Sequence, residues 1–216
     1  QFMLHKIYSL NFNFEKYFKN YDFHNLYKEL LNFCTVDLSA FYFDIRKDTL
    51  YCDPKDSSKR QSTIILLNII LNSLLKWFAP ILSFTTEEIH KLLINDSKSI
   101  HLEKFIDFPE NFRNEKLNKK WHELIKIRNI CNISIEEKRT SKEIGSSLEA
   151  ELEIKLDNKF LETTKDVDFS ELCITSKATI SYEEIANLSV KTFKAKGSKC
   201  PVCWKISEDT CARHSE

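Results

Sequence analysis

Two pairs of soft metal ligands stand near the end of the sequence. Cys200-Pro201-Val202-Cys203 is followed, after the spacer Trp204 to Thr210, by Cys211-Ala212-Arg213-His214. Each pair has two residues between its ligands, so each can grip one ion from a tight turn. The spacer is long enough for a hairpin to bring the pairs together. Three thiolates and one imidazole around a divalent ion leave a formal charge of about −1. Lys199, Lys205 and Arg213 lie close enough in sequence to offset it. The chemistry this predicts is one structural Zn2+ held by Cys200, Cys203, Cys211 and His214. With all four positions filled by protein, no place is left for a water or a substrate. The alternative is a pair of disulfides, or thiols that do not interact. Spacing and ligand type favour the metal.

Other reactive constellations are absent from the pattern. The remaining histidines, 5, 24, 90, 101 and 122, are scattered, and no serine or cysteine sits in a nucleophile signature. Glu87/Glu88 and Glu136/Glu137 read as helix-start and solvated-face residues. Only two glycines occur, Gly145 and Gly197, which excludes a P-loop and a dinucleotide fingerprint.

Binding is better supported. The 32 basic and 32 acidic residues cancel, so a nucleic acid would have to be held by a local patch. Basic and aromatic residues interleave at Arg46-Lys47, Lys55 with Lys59-Arg60, Lys76-Trp77, Lys119-Lys120-Trp121, and Lys138-Arg139 with Lys142. Such groups contact phosphates and stack on unpaired bases. On charge and position, Arg46, Lys47, Arg60 and Lys120 are the candidate RNA contacts. Against this, Trp77 and Trp121 sit at core spacing, and lysines also solvate helix faces.

The elements that must position these groups are mostly helical. Phe23–Asn32 has apolar residues at i, i+3 and i+4 behind an Asp22 cap. A short helix is expected over Leu38–Ile45, then a loop through Asp53-Pro54. A longer helix runs from about Ser58 to Ala79 and stops at Pro80. Thr85-Thr86-Glu87-Glu88 has the form of a capping box opening a helix through Leu93. Residues 96–114 read as a surface connection, and Leu117–Arg139 as a long amphipathic helix. From Leu148 to Leu156 the pattern alternates, as in a strand with one wet face. Leu172–Thr175 and Leu188–Phe193 are further strand candidates, with a short helix capped at Ser181-Tyr182-Glu183-Glu184 between them. The predicted fold is mainly α: a helical bundle over 1–140, a small α+β subdomain over 141–195, and a zinc knuckle over 196–216.

Seven cysteines, an odd number whose first four members show no paired spacing, suit a reducing, cytoplasmic compartment, with Cys34 and Cys131 as small core residues. The apolar stretch Ile64–Ala79 is interrupted by Asn68, Asn72, Ser73 and Lys76 and is shorter than the roughly 20 residues of a bilayer span. It reads as a bundle helix, with no membrane role. The sequence opens at Gln1 inside a helical pattern, as expected of a piece of a longer protein.

Several stretches together resemble one family. Tyr21-Asp22-Phe23-His24, Asn32-Phe33-Cys34, Asp37-Leu38-Ser39-Ala40-Phe41-Tyr42-Phe43-Asp44, Leu50-Tyr51-Cys52-Asp53 and Trp77-Phe78-Ala79-Pro80-Ile81-Leu82 are similar to the anticodon-binding bundle of bacterial-type isoleucyl-tRNA synthetases. Ile144 to Ala150, Cys173-Ile174-Thr175-Ser176 and Ala195 to Trp204 resemble the C-terminal region and zinc finger of the same enzymes. The resemblance implies a class I parent enzyme that activates isoleucine with ATP, charges tRNA-Ile, and edits misloaded valine in an inserted domain. The His-Ile-Gly-His-like and Lys-Met-Ser-Lys-Ser-like signatures of its catalytic domain do not occur here. The implied role is therefore to grip the anticodon arm, as a monomer joined to upstream catalytic and editing domains, without catalysis of its own. The bundle is shared with valyl- and leucyl-type synthetases; the finger and the Ile144–Ala150 run favour the isoleucyl type. A zinc-stapled helical interaction module with no RNA role is the rival from another class. The family's finger usually has four cysteines, and here His214 takes the fourth place, an equally good zinc ligand by chemistry.

Overall fold

A computed structural model describes residues 1–94, 98–184, 188–211 and 213–214. The chain divides into two compact units, Gln1–Leu50 with Pro54–Asn118, and Tyr51–Asp53 with Lys119–Glu216.

The first unit is helical. α1 (Phe2–Lys19) is followed by α2 (Phe23–Asn32), whose Asp22 cap accepts a hydrogen bond from the Asn25 amide, as predicted. The separate short helix expected at Leu38–Ile45 is not formed. The chain instead stays helical from α2 through a π-wound stretch, Phe33–Phe43, into α3 (Asp44–Cys52). The buried residues there explain the change of winding. Phe33, Leu38 and Tyr42 step by five and then four, a spacing that the i→i+5 turn keeps on one face and an α-turn would carry away.

α4 (Ser58–Phe78) starts at a Ser57 cap and ends beside Pro80. By length and composition it is the one described helix apolar enough to cross a membrane, yet it buries Thr63, Ile70, Ser73, Leu75 and Trp77 within this unit. α5 (Ser83–Leu93) begins two residues before Thr85, and no side chain caps it. The capping box is therefore not made, because Thr85 already lies inside the helix. Glu87 turns instead to the connection, accepting from Ser99 Oγ at 2.8 Å and the Ile100 amide at 2.9 Å. That connection is more than surface: Phe105, Ile106, Phe108 and Phe112 pack on the core.

At the centre of the core Trp77 meets Phe14 edge-on, ring centroids 4.9 Å apart. Its indole N–H donates to Asn11 Oδ1 at 2.9 Å, and Asn11 donates onward to the Ile106 carbonyl at 2.8 Å. A buried amide thus satisfies two polar groups that would otherwise be orphaned.

The second unit is built around β1. α6 (Glu115–Thr140) crosses from one unit into the other. In its second-unit part it buries Leu124, Ile127, Cys131 and Ile135, while Trp121 is only half-buried. β1 (Ala150–Asp157) then turns Ala150, Leu152, Ile154 and Leu156 inward, each at most 1% exposed, as the alternation predicted. α7 (Leu161–Thr164) and α8 (Phe169–Leu172) form the crossover to β2 (Lys177–Glu183), which runs parallel to β1; β3 (Ser189–Lys194) pairs antiparallel on the other side. The Lys177–Glu151 ion pair, at 2.8 Å, joins direct register partners of β1 and β2, and Lys155 reaches diagonally to Glu183 at 2.7 Å.

Two expectations fail here. Leu172–Thr175 is no strand: it ends α8, with Ile174 at φ +57° and the Thr175 amide bonded back to the Ser170 carbonyl at 2.8 Å. Ser181-Tyr182-Glu183 belongs to β2 and caps no helix; the rest of the expected helix, at 185–187, lies outside the described residues. A two-stranded hairpin, β4 (Ser198–Lys199) and β5 (Ile206–Ser207), completes the unit. Its Ile206 amide donates to Ser176 Oγ at 2.6 Å, tying it to the start of β2.

Candidate metal centre and surrounding residues

The β4–β5 hairpin is the device that brings the two ligand pairs together. The Cys200 amide donates to the Lys205 carbonyl at 2.9 Å, and the Trp204 amide to the Cys200 carbonyl at 3.0 Å. This closes the first pair into a knuckle, with Trp204 at φ +64°. Gly197 makes the tight return possible. Its φ is +112°, and a Cβ there would stand 2.0 Å from the Ser207 carbonyl oxygen.

The donor atoms of Cys200, Cys203, Cys211 and His214 all lie within 4.8 Å of one another. A tetrahedral ion with metal–sulfur bonds of about 2.3 Å and metal–nitrogen bonds of about 2.0–2.1 Å needs edges of about 3.8 Å between sulfurs and about 3.5 Å between sulfur and nitrogen. Cys203 and Cys211 sulfurs are 3.8 Å apart; His214 Nδ1 is 3.6 Å from Cys200 Sγ and 3.3 Å from Cys211 Sγ. The donor set fits one ion. It does not fit disulfides, whose bond is about 2.05 Å: all seven cysteines are free thiols.

The four donor groups sit in different electrostatic surroundings. Amide groups of Cys203 and Val202 aim at Cys200 Sγ and draw its thiol down to about 6. Burial raises the Cys203 thiol to about 11. Burial opposes ionisation at Cys211 as well, but there the Arg213 amide and the His214 ring outweigh it and the thiol lies below its ordinary value. His214 is shifted up, first by the Cys52 carbonyl that faces its ring and then by the neighbouring sulfurs.

Cys52 and Asp53 are the parts of the site that motif spacing could not reveal. His214 Nε2 lies 3.0 Å from the Cys52 carbonyl oxygen. Asp53 Oδ1 pairs with Arg213 Nη2, so Arg213 has a specific carboxylate partner besides the charge of the centre. Lys199 sits 5.2 Å over the Trp204 ring, which is 57% exposed.

The four basic residues singled out for RNA are spread over both units. Arg46 lies on α3 and faces Tyr42, whose hydroxyl also meets Thr63 of α4; this brings Arg46 to the early turns of that helix, where Arg60 stands. Lys47 is exposed and pairs with Asp44 at 2.6 Å. Lys120 is in the second unit, its Nζ 3.3 Å from the Lys165 carbonyl.

The described elements are a helical first unit and a second unit with a small mixed sheet and a cysteine–histidine knuckle, and sequence comparison names the family. Residues 1–154 match the anticodon-binding domain of tRNA ligase, and the chain belongs to that family. It is 65% identical over 216 residues to the isoleucine–tRNA ligase of Pelagibacter ubique (strain HTCC1062), covering 100% of this chain and 24% of that protein. Against the isoleucine–tRNA ligases of Agrobacterium fabrum and Rhodopseudomonas palustris the identities are 36% and 37%, covering 96% and 94% of this chain and 22% of each relative. The chain spans about a quarter of the length of these curated relatives.

Proposed function

We propose that this chain is the tRNA-binding portion of an isoleucine–tRNA ligase, and that it grips the anticodon arm of tRNA-Ile. The observation that carries this reading is the 65% identity, across all 216 residues, to a protein of that name. On this reading residues 1–140 are the anticodon-binding bundle, 141–195 a junction subdomain and 196–216 a finger holding one structural Zn2+ on Cys200, Cys203, Cys211 and His214. ATP and isoleucine are handled by the parent enzyme's catalytic part, a monomeric cytoplasmic polypeptide in which this segment catalyses nothing.

The surface chemistry supports the partner. Arg46, Lys47, Arg60 and Lys120 are the proposed phosphate contacts. Trp204 offers a stacking face for an unpaired base, with Lys199 alongside. A hydrophobic pocket separates isoleucine from valine by only about 1–3 kcal/mol. Choosing the right tRNA needs separate contacts, and an unpaired anticodon offers both base edges and stacking faces. Four phosphate contacts to single-stranded RNA predict a fall in affinity on the order of 50-fold between about 50 and 200 mM salt. A salt titration of tRNA binding tests this; no binding at low salt by folded, zinc-loaded protein would refute it and leave the interaction-module reading.

A further inference from the structure

Cys52, the last residue of α3, and Asp53, which follows it, make three bonds to the knuckle. The Cys52 carbonyl meets His214 Nε2 at 3.0 Å, Cys52 Sγ lies 3.8 Å from the Val202 carbonyl, and Asp53 pairs with Arg213. We propose that Asp53 is a positioning residue for the metal: its ion pair with Arg213 holds the Cys211–His214 turn so that the His214 ring presents Nδ1, and not Nε2, to the ion.

An imidazole can ligate through either nitrogen, and the partner of the other nitrogen decides which. A carbonyl oxygen accepts and never donates, so the Cys52 oxygen requires the proton to sit on Nε2 and leaves the lone pair on Nδ1. That bond survives only while the ring stays beside Cys52. The anchor is one residue away: Arg213 stands between the two ligands of the second pair, and Asp53 follows Cys52. The pair is sheltered, with 13% of the Asp53 side chain and 34% of the Arg213 side chain exposed, so water competes with it less than with an ordinary surface pair. A thiolate at position 214 would have no second nitrogen to tie down. The clamp therefore belongs to the histidine form of the site.

This inference rests on the zinc reading, and the experiment separates the two. Zn2+ affinity is measured on the full 216-residue chain by competition with a chromophoric chelator, with Co2+ absorption reporting the ligand field. The unmodified chain binds one ion. Asp53→Ala and Arg213→Ala each weaken Zn2+ by about 10–100-fold and alter the Co2+ spectrum. The double variant is no weaker than the weaker single one, as coupled partners require. Asp53→Glu restores most of the affinity. Asp53→Asn, which keeps the shape and loses the charge, falls between wild type and Asp53→Ala. In a His214→Cys background Asp53→Ala loses most of its effect. No metal in the unmodified chain overturns both readings. One bound ion with an unchanged affinity in Asp53→Ala, additive losses in the double variant, or an undiminished loss beside His214→Cys overturns the clamp alone.

Discussion

His214 divides its two ring nitrogens between two tasks: Nδ1 faces the sulfurs of Cys200 and Cys211, and Nε2 faces the carbonyl of Cys52. The prediction for the ligand itself follows from donor chemistry. His214→Cys retains one Zn2+, because a fourth thiolate completes the same tetrahedron. His214→Ala leaves three ligands and lowers Zn2+ affinity by at least about 10-fold. Chelator competition separates the two variants.

Gly197→Ala is predicted to break the hairpin that carries the ligands. A backbone in so sparsely populated a region costs about 1–3 kcal/mol for a residue with a Cβ. The 2.0 Å approach to the Ser207 carbonyl adds a clash with backbone, which cannot swing aside as a side chain would. Amide exchange should accelerate through Ser198–Ser207 and Zn2+ affinity should fall; unchanged exchange there would contradict the packing described.

Replacing Asn11 by Leu removes the acceptor for the Trp77 indole and the donor to the Ile106 carbonyl together. Leaving two buried polar groups unpaired costs about 2–4 kcal/mol, read as a lower urea midpoint for the helical unit. A change under about 0.5 kcal/mol would mean that these groups find other partners.

Glu87 supplies a pH dependence. Hydrogen bonds from Lys91 first, then Ser99 and the Ile100 amide, hold its carboxyl down to about 2, against an ordinary 4.5. A depressed carboxyl stabilises the fold fully above its unfolded value. As pH falls from about 4.5 toward 2 the unfolded chain takes up a proton the folded one refuses, and that stability is lost. Glu87→Gln should flatten the stability curve of the wild type across this window. Parallel acid curves for the two proteins would show that the 99–100 staple contributes nothing through charge.

What the sequence made legible follows from how local each signal is. Asp22 capping α2, Pro80 stopping α4 and the alternation through Leu152, Ile154 and Leu156 act within a few residues, and each is found where expected. The clustering of Cys200, Cys203, Cys211 and His214 was legible for the same reason. The β-branched run at Ile174-Thr175 misled, because a left-handed backbone at Ile174 ends a helical turn there. β2 gives a weak sequence signal because Ala178, Ile180 and Tyr182 are only half-buried and alternate with exposed residues. The Thr85 box failed because α5 starts at Ser83. The tie of Cys52 and Asp53 to the knuckle was beyond any spacing rule: Asp53 meets Arg213 across 160 residues of sequence, a contact only the fold can make.

The central claim, recognition of one anticodon arm, is tested most directly by fluorescence anisotropy with zinc-loaded protein at low salt. The probes are a hairpin carrying the tRNA-Ile anticodon arm and the same stem with its loop sequence changed. The prediction is binding of the first and at least about 10-fold weaker binding of the second, since base edges and stacking faces are read only in the unpaired loop. Equal affinity for both hairpins, or binding of neither, would contradict it.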